Sequence, residues 1–192
     1  MKEPSKLEKI ERLNLVLKAI REVGRLLVKE NDRERLIKGI CEILVDRRGY
    51  FNAWIALYDH QNTLVKTYQS GLDEAFTPLL KQLESGQLAH CLQTAMGNNN
   101  VIVIHDPFDE CRNCPLSNLY QDRSGMSVKI DCGSDLSAVI STSTPHLDSE
   151  TDEDITYFGE IAADIEHALH AIEANEKNRE LLKRLQLSDL IL

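Results

Sequence analysis

The feature that most restricts the fold of this chain is a pair of apolar runs joined by a short turn. Ser124-Gly125-Met126-Ser127-Val128-Lys129-Ile130 leads through Asp131-Cys132-Gly133-Ser134 into the run from Leu136 to Ser143. A glycine-bearing turn between two such runs reads as a β-hairpin, and a hairpin commits the chain to an antiparallel sheet. Met126, Val128 and Ile130 share one face of the first strand, so that face belongs to a core. Further strands follow the same logic. Phe51-Asn52-Ala53-Trp54-Ile55-Ala56-Leu57-Tyr58 is apolar along most of its length and reads as a strand buried on both sides. Asp59-His60-Gln61-Asn62 is a turn, and Thr63 to Gln69 returns before Ser70-Gly71. Val101-Ile102-Val103-Ile104 adds a short strand. The expectation is an α+β domain with a central antiparallel sheet of five or six strands.

Helices bracket these strands. Residues 5–30 carry Ile10, Leu13, Leu17, Ile20 and Leu27, with Gly24 in the same seam. Steps of three and four make a narrow stripe of the coiled-coil kind. Asn31 or Asp32 caps a second helix with the apolar face Leu36, Ile37, Ile40, Ile43 and Leu44. Residues 74–96 read as two helical pieces broken near Ser85-Gly86. A last helix is expected from about Ser149, with Ser149 or Asp148 as its N-cap and a seam of Phe158, Ile161, Ile165 and Ile172. At some 40 residues it would span roughly 60 Å, more than a small domain's diameter, so its end should project.

With 192 residues the chain can build one core of ordinary size and still extend helices from it. Its net charge of −9 repels phosphate backbones and anionic lipid heads, so neither nucleic acid nor a membrane surface is an expected partner. Met1-Lys2-Glu3-Pro4-Ser5-Lys6 leads into a charged amphipathic stretch without the apolar region of a signal peptide, and the expected location is cytoplasmic. Five cysteines, an odd number, argue against a framework of structural disulfides.

The order of helix, helix, two strands, helical insert, strand, long loop, two strands and long exit helix resembles the GAF domain over roughly residues 20–172. The runs Phe51–Asp59 and Ser124–Ser141 carry most of the likeness. The loop His105-Asp106-Pro107-Phe108-Asp109-Glu110-Cys111-Arg112-Asn113-Cys114-Pro115-Leu116 resembles the cysteine-bearing CxxCPL loop of a GAF subgroup found in sensor histidine kinases. The resemblance implies terminal helices on one face of the sheet and a small-molecule pocket on the other. It divides the chain into a signalling and dimerisation helix at 1–30, a sensory domain at 31–172 and a linker helix at 173–192. The Asn-Lys…Phe…Asp-Glu signature of cyclic-nucleotide-binding GAF domains is absent. So is the Cys-His pair of chromophore-bearing ones, since His90-Cys91 has the reverse order.

Chemistry concentrates at Cys111-Arg112-Asn113-Cys114. Two thiols at this spacing can chelate a soft metal, close a small redox disulfide or simply pack the loop. Zinc or iron would need more ligands. His105 is the first candidate, and Cys91 or His90 on the helical insert the next. Cys132 lies at the far end of its strand, roughly 20 Å away at 3.3 Å per residue. His105 alone could instead hold haem, a lesser alternative. Asp106, Asp109 and Glu110 read as solvating loop residues. Trp54 and Tyr58 share a strand face and are candidates either for the pocket lining or for plain core. Ser141, Thr142, Ser143 and Thr144 look like a nucleophile cluster, but no oriented His–Asp pair is readable beside them, and they read as a strand end.

The expected function is therefore a sensory module. It would bind a small ligand, metal or redox signal and pass it through its helices to an output domain such as a histidine kinase, with a homodimer formed through those helices. Two alternatives remain: a cysteine-dependent GAF enzyme of the free methionine sulfoxide reductase type, and a ligand-free dimerisation scaffold.

Overall fold

The structure, a computed structural model, describes residues 6–133, 135–145 and 153–189. Helices α1 (Lys6–Lys29) and α2 (Arg33–Asp46) come first, then strands β1 (Asn52–Tyr58) and β2 (Leu64–Ser70). Helices α3 (Thr77–Glu84) and α4 (His90–Met96), strand β3 (Ile102–Ile104) and a single turn of helix, α5 (Pro107–Glu110), form the middle. Strands β4 (Arg123–Gly133) and β5 (Leu136–Pro145) precede the long helix α6 (Glu153–Asp189). The strands order as β2-β1-β5-β4-β3, every pair antiparallel. The five-stranded sheet expected from the hairpins is present.

Alternation along the strands splits the interior into two cores. Ala53, Ile55 and Leu57 of β1, Met126, Val128, Ile130 and Cys132 of β4, and Ala138 and Ile140 of β5 face one way. They meet Leu36, Ile37, Ile40 and Leu44 of α2 and Phe158, Ile161, Ile165, Leu169 and Ile172 of α6. Trp54, Ala56, Tyr58 and Val139 face the other way, against Phe76, Leu79, Leu83, Leu92 and Ala95 from the helical insert. β1 is buried at every position because it lies inside the sheet and is covered on both faces.

Local signals explain the boundaries. Asp32 is the N-cap of α2, and its Oδ1 accepts from the Arg35 N–H at 2.9 Å, satisfying one donor that the first turn leaves without a partner. Gly86, at φ +81°, separates α3 from α4. β4 runs three residues beyond the expected Ile130, because a register shift between Asp131 and Gly133 keeps it paired with β5 almost to the turn. Gly133 sits there at φ +71°, and a Cβ at that position would run into the Glu173 carboxylate of α6. The expected N-cap of the last helix, Asp148 or Ser149, lies outside the described residues.

The helical seams divide differently from the sequence reading. Phe158, Ile161, Ile165 and Ile172 are all buried in the chain's own sheet core, so this seam is not free to pair with a second copy. On α1, Val16, Ala19 and Val23 are buried, whereas Leu7, Ile10, Leu13 and Leu17 stay exposed. Described residues from Ala174 to Gln186 on α6 are exposed, Leu181 and Leu182 among them. No helix among the described residues is long and apolar enough to cross a membrane.

Candidate functional site

The loop between β3 and β4 is built by local hydrogen bonds. Asp106 caps α5, accepting from the Asp109 N–H at 3.2 Å, and Glu110 reaches back to accept from the Asp106 N–H at 2.9 Å. Pro107 sits in the first turn of α5, where its missing N–H costs nothing. Asp106, Asp109 and Glu110 thus shape the loop, and Asp109 also pairs with Arg112 at 2.9 Å. The Cys114 N–H donates to the Cys111 carbonyl at 2.8 Å, closing a turn that brings both cysteines to the same side.

That turn lies over the sheet face opposite α2 and α6. Beneath it is a cavity of about 40 Å³ lined by Cys91, Cys111 and Cys114, by Trp54 and Tyr120, and by Ser127, Ser141 and Ser143 on the strands. The volume has room for about two or three waters. Cys91 arrives from α4, and the other two thiols from the loop. On the solvent side, Cys111 and Cys114 also line a second, polar cleft of about 320 Å³ with Gln82, His90, Gln93, Arg112 and Asn113. The cysteine turn is therefore the partition between an inner cavity and an outer cleft.

The floor of the cavity is polar for a reason set by register. Ser127 of β4 pairs with Ser141 of β5, and Gly125 with Ser143. The Ser127 and Ser141 hydroxyls hydrogen bond at 2.7 Å. Asn52 of β1 pairs with Ser143 and donates from Nδ2 to the Tyr120 hydroxyl at 3.1 Å. Asn52 Oδ1 and Ser143 Oγ are buried and have no hydrogen-bond partner among the described residues. Unmet buried polar atoms are uncommon and point to a site that accepts a guest or water.

Burial sets the state of the thiols. It pushes Cys91 up to about 12, with the neighbouring Cys114 and Cys111 adding to the shift. It pushes Cys111 up to about 11, with Cys114 and Glu110 reinforcing it, and raises Cys114 as well. All three are neutral thiols at pH 7, because the low-dielectric surroundings penalise the thiolate.

Of the residues expected at a site, Cys91, Cys111, Cys114 and Trp54 come together at this cavity. Tyr58 shares the face of Trp54 and is buried, but it does not line the cavity. Its hydroxyl lacks a hydrogen-bond partner, and burial, then Cys91, raises it to about 12. His105 is not brought in. It follows Ile104, which does line the cavity, and successive side chains of an extended segment point to opposite sides. Its carbonyl accepts from Ser124 Oγ at 3.1 Å. No three His, Cys, Asp or Glu side chains among the described residues are grouped as a metal ion requires, so the set Cys111, Cys114 and His105 is not assembled for zinc or iron. Haem does not fit 40 Å³ either, since even drug-sized ligands take about 300–1,000 Å³. Asn52, Tyr120 and Ser127 are not singled out by the sequence, and Ser141 and Ser143, read there as a strand end, line the cavity. Their signal was the polar phase of strands whose other phase is apolar.

No family model matches the sequence, and no curated protein matches it. Solved structures do match in shape. The free methionine-R-sulfoxide reductase from Neisseria meningitidis, in complex with its substrate, superposes with a TM-score of 0.61 at 18% identity, covering 91% of this chain and 97% of that one. The GAF domain of a phosphoenolpyruvate-protein phosphotransferase from Coxiella burnetii gives 0.60 at 14%, covering 86% and 98%. The GAF domain of a proposed sensor histidine kinase from Pseudomonas syringae pv. tomato gives 0.54 at 14%, covering 94% and 99%. With its five-stranded antiparallel sheet between a helical layer and a thiol-lined cavity, the chain has the fold of GAF domains.

Proposed function

We propose that this chain is a sensory and regulatory module. A small ligand or redox change at the cavity of Cys91, Cys111 and Cys114 shifts the sheet, and the terminal helices carry that shift to an output domain such as a histidine kinase. The observation that carries this reading is the double role of β4. Its Gly125 and Ser127 line the cavity, while Met126, Val128 and Ile130 on the opposite face pack in the core shared with α6. The two sites are thus joined by one packed element with no flexible segment between them. The Asp131 N–H also donates to Glu166 of α6 at 2.9 Å, tying the strand end to the helix. A second copy of the chain pairs through α1, whose Leu7, Ile10, Leu13 and Leu17 are exposed among the described residues.

A second reading is favoured by the three thiols and by likeness to the Neisseria reductase: a thiol-dependent reductase of free methionine sulfoxide. The state of the thiols weighs against it. A thiol near 11 is about 10⁻⁴ ionised at pH 7, against roughly 3 × 10⁻² for an ordinary cysteine, and the thiolate is the nucleophile.

The test is hydrogen exchange on the reduced protein and on protein oxidised with hydrogen peroxide. Mass spectrometry of the cysteines would verify that oxidation is complete. The sensory reading expects altered protection in β4 and in α6 near Glu166. Unchanged exchange there would refute it. Methionine released from the R-sulfoxide with dithiothreitol as reductant, and lost in Cys111→Ala and Cys114→Ala, would replace it with the reductase reading.

A further inference from the structure

Among the described residues, the cavity wall carries no Lys, Arg, His, Asp or Glu. A guest that left net charge there would go uncompensated in a low-dielectric interior, which disfavours anions such as phosphate. A divalent cation fares little better. Zinc wants four good donors, and the cavity presents thiols and hydroxyls without the grouping an ion needs. What the cavity does offer is a dithiol. Cys111 and Cys114 close a hydrogen-bonded turn at 2.8 Å, which holds their Cα atoms within about 7 Å, and both face the cavity and the outer cleft.

We propose that Cys111 and Cys114 form a dithiol site for a neutral trivalent arsenic or antimony hydroxide, entering from the outer cleft and condensing with both sulfurs. This rests on the reading of the cavity as the sensory site and names its chemical class. The step is As(OH)₃ + 2 R–SH → (R–S)₂As–OH + 2 H₂O. Two As–O and two S–H bonds break, two As–S bonds form, and each thiol proton leaves with a hydroxide as water. Arsenic stays trivalent, no electron moves and the product is uncharged, as the wall requires. Three bonds satisfy the atom, so two sulfurs and one retained hydroxyl suffice. The retained hydroxyl meets the serine floor, where Ser143 is 1% exposed and its Oγ has no partner among the described residues. The adduct adds two heavy atoms to a cavity of about 40 Å³, room for about two or three waters.

The experiment uses the full reduced chain, dialysed against sodium arsenite at neutral pH. Bound arsenic is counted by elemental analysis, and the sulfur–arsenic bond is followed by near-ultraviolet absorption. The expected result is one arsenic per chain. Affinity should fall at least tenfold in Cys111→Ala and in Cys114→Ser, and stay unchanged in Cys132→Ala, whose thiol lies in the opposite core. Sodium arsenate and equimolar zinc should not compete. Circular dichroism verifies that each variant is folded. Absence of arsenic on the folded wild type, competition by zinc, or full binding by the Cys111→Ala/Cys114→Ala double variant would each overturn the site. The sensory reading is judged separately by the peroxide exchange experiment. A failed arsenite titration with altered α6 exchange removes only the ligand class. Unaltered exchange with a successful titration removes only the signalling role.

Discussion

Replacing Asp154 by alanine should cost this domain a large part of its stability. Asp154, in the first turn of α6, pairs with Arg48, which follows α2. Arg48 is 6% exposed and Asp154 2%. The guanidinium lies over the Tyr50 ring at 4.7 Å, and Tyr50 meets Phe158 of α6 edge-on at 6.4 Å between centroids. Truncating the carboxylate leaves the arginine charge buried without its counter-ion, for which the expected cost is about 3–5 kcal/mol. Whole domains are stable by only about 5–15 kcal/mol. With a urea slope of about 2 kcal/mol/M, the midpoint should fall by roughly 2 M. The chain's only tryptophan, Trp54, is buried beside the cavity, so its fluorescence follows the transition without a label. Substituting both partners, Arg48→Met with Asp154→Leu, removes the charge along with its counter-ion and should cost less than Asp154→Ala alone. A loss below about 1 kcal/mol for Asp154→Ala, or a double variant as unstable as the sum of its singles, would refute the argument.

Three further outcomes follow from the same geometry. Burial raises Cys41, Cys91 and Cys132 to about 12, so these thiols keep their protons in the folded state after the unfolded chain has lost its own. Stability is then fully present below about pH 9 and falls as pH rises toward 12, by up to about 1.4 kcal/mol per pH unit for a thiol such as Cys41; equal urea midpoints at pH 7 and pH 10 would contradict this. Iodoacetamide should alkylate Cys111 at pH 7 about 300-fold more slowly than free cysteine, read by peptide mass spectrometry, and a rate equal to that of the free amino acid would show the thiol is not held neutral. Sedimentation at tens of micromolar should find a dimer that Leu13→Glu/Leu17→Glu dissociates, since these leucines are 43% and 52% exposed on α1; a monomeric wild type, or a variant that dimerises equally well, would remove α1 as the interface.

Much of the architecture was legible because it rests on local patterns. The run 51–58 could be read as doubly buried from its unbroken apolar character, and the glycine-bearing turn at 131–134 implied the hairpin that organises the sheet. What could not be read was which apolar stripe faces which partner. Phe158, Ile161, Ile165 and Ile172 form a stripe equally suited to a second chain or to this chain's own sheet, and helical spacing is the same in both cases. The cysteine loop stood out by composition, and Cys91 was a candidate beside it; the packing of α4 on β4 is what brings that thiol to the loop. His105 looked like the nearest ligand in sequence, yet one step along an extended segment turns a side chain to the other side. Asn52 and Ser127 are ordinary alone, and Ser141 and Ser143 read only as a strand end. Their meaning comes from cross-strand register, which sets them side by side.

The two phases of β4 and β5 also bear on how such a domain can change over generations. Odd positions, Ser127, Ser141 and Ser143, decide what the cavity admits, whereas even positions, Met126, Val128, Ile130, Ala138 and Ile140, decide how α6 is seated. A substitution at an odd position can therefore retune recognition while the helix keeps its bed. One at these apolar even positions alters coupling while the cavity keeps its chemistry. The pleat of a single sheet thus lets one scaffold acquire new inputs without rebuilding its output, which is a route to many specificities from one architecture.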